Sequence, residues 1–196
     1  MKRYYPLDYK PKKSTPADLY LQYAEVYKDA ITILLAEFSE HEPMHDYALT
    51  PVLALLRQYI ELQLKGIIMY HESPATHKPR KGHNISCLYR LAHKTVEEKY
   101  PVPKANKEVS QFIESLGKID PKGQLFRYPE TLEGKDFRGV SEKIDPKLYK
   151  QIMSISSLRE IVEKVFNDLE GLEGYLDFMK ENEEEAMRNF RGNYPP

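Results

Sequence analysis

The sequence has no tryptophan and only one cysteine, Cys87. A lone thiol excludes an intrachain disulfide framework and a cysteine-built zinc site. Glycine is scarce, at nine residues in 196. None of the nine forms a phosphate-cradling loop or a nucleophile elbow. A long uncharged apolar run is also missing. The best candidate, Val52 to Tyr70, is interrupted by Arg57, Glu61 and Lys65, so it does not read as a membrane span. MKRYYPLDYK contains no apolar signal-peptide region, and the expected location is the cytoplasm. Neither sign of charge dominates. At a net charge of -1, attraction to nucleic acid must come from a local patch.

What is present is a core-forming chain. At 41% hydrophobic, its 196 residues are enough for one packed domain. Fifteen tyrosines suit surfaces where a ring is buried and its hydroxyl stays wet. The pattern predicts an all-α helical bundle of four to five main helices, with a small extended or hairpin insert before a long last helix. Residues 1–14 read as a basic, proline-interrupted extended arm. Residues 15–183 read as the helical domain, with the insert at 120–144, and 184–196 as a fraying tail.

The helices announce themselves by caps. Thr15-Pro16, Thr50-Pro51 and Asp145-Pro146 each put a capping side chain before a proline suited to the first helical turn. Leu19, Tyr23, Val26, Ala30, Ile33 and Phe38 then follow a helical period. The helix opening at Thr50 is apolar on most sides, which marks a central helix or one that packs another chain. Asn84 can cap a third helix with the stripe Ile85, Leu88, Ala92, Val96, in which Cys87 is expected as a buried structural thiol. A shorter helix carries Val109, Phe112, Ile113 and Leu116. Asp120-Pro-Lys-Gly123 is a turn signal. From Leu148 to Met179 the period runs unbroken, which favours one long helix, although Ser157-Leu-Arg-Glu160 has the form of a capping box.

The candidate site residues cluster around the central helix. Arg57, Glu61 and Lys65 fall at i, i+4 and i+8, in one line. They form either a solvated ladder of ion pairs or a charged line in a groove. The loop HKPRKGH collects Lys78, Arg80, Lys81 and His83, a patch suited to an RNA backbone. His83, at a helix start, can pack beside the cap, meet a phosphate, or act as a general base. Arg127, between Phe126 and Tyr128, can stack a base or pin the insert to a carboxylate such as Glu61. His41 and His45 have a metal-ligand spacing only on a helix, and Pro43 argues against one there. No metal site or cofactor is expected.

YIELQLKGIIMYH, then a loop, then GHNISCLYRL resembles the HEPN superfamily of small all-α proteins, and DPKGQLFRYPETLEGK is similar to an insert carried by some HEPN-like bacterial proteins. The resemblance covers about residues 15–180. It implies a homodimer formed through central helices. It also implies either a metal-independent ribonuclease of a toxin–antitoxin or other defence system, or a non-catalytic module binding RNA or a partner protein. Active members share an arginine followed four to six residues later by histidine. No arginine here has a histidine at that distance. The family's catalytic pair therefore finds no counterpart, and His83, with Arg57 or Arg127, is the candidate for a divergent nuclease. RNA or partner binding without the usual motif, and a structural, antitoxin-like role, complete the expectations.

Overall fold

The computed structural model describes residues 15–38, 46–71, 82–98, 100, 104–126, 146–152 and 154–193. They form an all-α bundle: α1 (Pro16–Glu37), α2 (Asp46–His71), α3 (Ile85–Glu97), α4 (Lys107–Ile119), α5 (Pro146–Ile152) and α6 (Ile155–Asn193). The cap chemistry read from the sequence is present at α1. Thr15 Oγ1 accepts from Asp18 N at 3.2 Å, and Asp18 Oδ2 accepts from Thr15 N at 2.7 Å. Such a reciprocal cap is worth about 1 kcal/mol.

Hydrogen bonds between helices fix their directions. Arg159, near the start of α6, donates to the carbonyls of Leu35 and Phe38 at the end of α1. Lys28, earlier in α1, pairs with Glu170, later in α6. The two helices therefore run antiparallel. On α2, Tyr59, Gln63 and Tyr70 bond Glu170, Glu173 and Asp177 in the same order, so α2 runs with α6. Tyr89 and Tyr100 bond Asp168 and Glu183, which gives α3 that same direction. By His83 the chain is back at the level of Arg57.

α2 is the central helix. Leu53, Leu56, Tyr59, Ile60, Leu64, Ile67 and Ile68 are all essentially inaccessible, covered by α1, α3 and α6. Its surplus of apolar residues is used inside this one chain. α4 approaches α3 closely at Gly117, where a Cβ would sit 2.2 Å from Ser86 Oγ. The core continues into α5 and α6 through Leu148, Ile152, Leu158, Val162, Val165 and Leu169.

Several boundaries differ from expectation. α2 begins at Asp46, so Pro51 lies inside it and removes one backbone donor. The last helix is not continuous. Ser154 restarts it as α6, its Oγ accepting from Ser157 N at 3.1 Å and its carbonyl from Leu158 N at 2.9 Å. α6 then continues through the expected tail to Asn193. Cys87 is exposed rather than buried, because the covered face of α3 is Ile85, Leu88, Tyr89, Ala92 and Val96. Of the insert, residues 120–126 are turns, with Gly123 at φ 70°. The expected arm, the metal candidates His41 and His45, and the hairpin beyond residue 126 lie outside the described residues.

Candidate functional site

The Arg57–Glu61–Lys65 line is buried, not a solvated ladder. Arg57, Glu61 and Lys65 are 3%, 4% and 6% exposed, and Asp120 joins them at 3%. Two cations meet two anions, so the cluster is balanced. Removing such charges from water is costly unless each is paired and hydrogen-bonded.

Arg57 is the hub. Its Nη1 donates to Glu61 Oε2 at 3.1 Å, its Nη2 to the His83 carbonyl, and its Nε to the Asp120 carbonyl at 3.2 Å. Asp120 Oδ2 also lies 3.2 Å from Nε but is not aligned to accept, so charge alone holds it there. Asp120 Oδ1 accepts from Gln124 N and Leu125 N at 2.7 and 3.2 Å, which closes the turn after α4. One guanidinium therefore ties α2 to the start of α3 and the end of α4. A cation at that helix C-terminus is also favoured by the helix dipole.

The Gly82-His83-Asn84 run divides its work by residue. Gly82, at φ 110°, makes a turn that a side chain would resist. Asn84 caps α3, its Oδ1 accepting from Cys87 N at 3.1 Å. Between them, His83 places Nδ1 2.9 Å from Glu61 Oε1, with 59% of its side chain exposed. Glu61 Oε1 also accepts from Lys65 Nζ at 2.8 Å. Burial alone would push the Glu61 carboxyl up. The hydrogen bond and charge of Lys65, with hydrogen bonds from His83 and Arg57, outweigh it and hold the group below the ordinary carboxylate range. An ionised carboxylate only accepts, so Nδ1 carries the proton and Nε2 faces outward.

The structure thus brings together Arg57, Glu61, Lys65 and His83 from the predicted set. Lys78, Arg80, Lys81 and Arg127 lie outside the described residues. Asp120 was legible only as a turn former. His93 was not singled out as a site either. Both its ring nitrogens are buried without a hydrogen-bond partner, against Tyr89 at 4.6 Å between ring centres. Burial lowers its pKa, although Asp168 and Glu97 pull the other way. Among the described residues, no group of three or more His, Cys, Asp or Glu is arranged to hold a metal ion. No described helix is long and apolar enough to cross a membrane. Comparison with family models, curated proteins and solved structures returns no match.

Proposed function

We propose that the chain is a HEPN-like RNA-binding protein whose binding face is centred on His83. The observation that supports this is the fixed imidazole: a buried carboxylate orients it from behind while its outer edge stays in solvent at the start of α3. A helix N-terminus favours an anion, and a preset ring loses little freedom when it meets a phosphate. The cations Lys78, Arg80 and Lys81 precede it directly in sequence, and Arg127 follows the Asp120 turn by a few residues. Lys65 and Arg57 act here as the support that keeps Glu61 charged.

The test is binding of single-stranded RNA at two salt concentrations. Affinity should fall steeply with salt, as expected when several cations meet phosphates. His83→Ala should weaken binding about ten- to hundredfold, in line with the ~1.5–3 kcal/mol of a hydrogen bond to a charged group. Salt-independent binding, or none, removes the proposal.

The outward Nε2 favours a second reading, a metal-independent ribonuclease. With Nδ1 held on Glu61, Nε2 is free to take a proton from a ribose 2′-hydroxyl. Cleavage in the presence of chelator that is abolished by His83→Ala supports it, and intact RNA rejects it. A homodimer and a defence or toxin–antitoxin setting belong to the same proposal. Since α2 is covered within one chain, a dimer would use other surfaces, such as the exposed Tyr23, Val26 and Ile33 on α1. Co-purification with a partner protein, without RNA, would favour the antitoxin-like role instead.

A further inference from the structure

α6 outruns the bundle to which it belongs. Its buried row, Leu158, Val162, Val165, Leu169, Leu172 and Leu176, stops well short of the helix end at Asn193. The neighbouring helices stop as well. Tyr70, the last residue but one of α2, bonds Asp177, and Tyr100, beyond α3, bonds Glu183. α1 runs the other way. Lys28 pairs with Glu170, and Thr15, the cap of α1, lies thirteen residues before Lys28, so the start of α1 is level with about Glu183. The last ten residues of α6 therefore extend about 15 Å past that start. Among the described residues of α6 beyond Leu176, none is buried.

Two features of this overhang call for a cover. Met187 lies eleven residues beyond Leu176, about three turns, so it faces the same side of the helix as the core. With no helix left to meet there, it is 62% exposed. From Glu181 to Met187 the chain holds Glu181, Glu183, Glu184 and Glu185 and no base. Glu181 and Glu185, both exposed, stand one turn apart, where like charges repel. A fitting cover brings cations and apolar side chains together. It must also come from the end of the bundle at which α1 starts.

We propose that the α6 overhang is a docking surface for the chain's own residues 2–13. That segment holds Lys2, Arg3, Lys10, Lys12 and Lys13 against one acid, Asp8, and interleaves them with Tyr4, Tyr5, Leu7 and Tyr9. It enters the fold at Thr15, level with the root of the overhang. Packed helix axes lie about 8–10 Å apart. Lys13, Lys12 and Lys10 are two to five residues before Thr15, a reach of roughly 7–18 Å, so they can meet Glu181 and Glu185. Tyr9, one residue further back, reaches up to about 20 Å, enough for Met187. The tether supplies a millimolar-scale effective concentration, so weak charge pairs suffice. The other basic stretch, with Lys78, Arg80 and Lys81, fits less well. It returns to Arg57 through the His83 carbonyl, and residues 72–82 hold no large apolar side chain to cover Met187. The overhang of a second copy would bring the same acids against these. This inference is independent of the RNA reading.

Backbone amide exchange of the full chain, read over residues 184–191, tests it. The Lys10→Glu, Lys12→Glu, Lys13→Glu variant should exchange there about tenfold faster and leave α3 unchanged. Adding Glu181→Lys and Glu185→Lys to that variant should bring the rate back to within about twofold of the starting protein. Zero-length carbodiimide cross-linking of the unaltered chain gives a second readout, with the Lys28–Glu170 link as internal control. The expected product joins Lys10, Lys12 or Lys13 to Glu181 or Glu185 within one chain. Unchanged exchange in the triple variant overturns the proposal, and so does a charge swap that fails to restore it. The control link without the arm link overturns it as well. Links from Lys78 or Lys81 would assign the overhang to the other basic stretch, and links between labelled and unlabelled chains would assign it to a second copy. Either result overturns the proposal.

Discussion

α2 shows two opposite polar faces, and they are built on different principles. Towards α3 and α4, Arg57 and Lys65 meet Glu61 and Asp120, all buried and matched in sign. Towards α1 and α6, Glu25, Glu170, Glu173 and Asp177 form an acidic row, partly exposed and mismatched, in which Lys28 pairs with Glu170. Burial explains the contrast. A fully buried cluster persists only if every charge is answered, whereas a half-exposed one can leave charge to water or to a guest. The balanced face holds helices together and orients one histidine. The unbalanced face leaves its excess charge where solvent reaches it.

The sharpest way to break this comparison is the same substitution on both faces. Arg57→Met should cost about 3–5 kcal/mol, because Glu61, Asp120 and two carbonyls lose their buried donor. Lys28→Met should cost about 1 kcal/mol or less, since its pair with Glu170 is reached by solvent. Urea unfolding of both variants measures this. Equal losses would mean that the two faces are not different in kind.

A middle-sized effect tests the seating of the balanced face. Gly117→Ala places a Cβ against Ser86 Oγ, one residue into α3 beyond its start. Overpacking of this kind costs about 1–3 kcal/mol. If Arg57 needs α3 and α4 at their present spacing, the His83 ring resonances should shift in this variant while those of Tyr70 stay in place. Shifts at Tyr70 of equal size would show that the faces are coupled.

Much of the fold was legible because α1 and α3 declare their starts chemically. Thr15 and Asn84 cap as their positions suggest, and the 3.6 period names the core of α2 to α4; on α1 the covered face is instead Ala17, Ala24, Ile31 and Leu35, and the expected Tyr23, Val26 and Ile33 are exposed. The break at Ser154 was hidden because the apolar period continues across it, and a capping serine among serines carries little signal. α6 runs past residue 183 on helix-favouring Glu, Ala, Met and Arg, where no apolar stripe marks it. At the site, the Arg57–Glu61–Lys65 line could be read, but its burial could not. Burial depends on Asp120, 63 residues from Arg57, and on a carbonyl at His83. The acidic face was equally invisible, since its carboxylates come from two helices distant in sequence.

The smallest expected effect separates the faces by the sign of their response to acid. Glu61 sits below its ordinary pKa in the fold, so its contribution is present above about pH 4.5 and is lost as pH falls through the folded value. His93 on α3 acts in the same direction. Its folded pKa is lowered, so stability declines as pH drops below about 6.5. Glu25 and Glu173 are raised, so their linkage runs the other way. Their contribution is fully present below about pH 4.5 and is lost as pH rises through the folded values. Native-state hydrogen exchange, corrected for intrinsic rates and followed from pH 7 to pH 5, should show protection falling around His93 in the second half of α3. Over the same interval it should rise, by about 1 kcal/mol or less, in the middle of α6. If both regions lose protection together, the mismatch at α1 and α6 is already answered by charge at neutral pH.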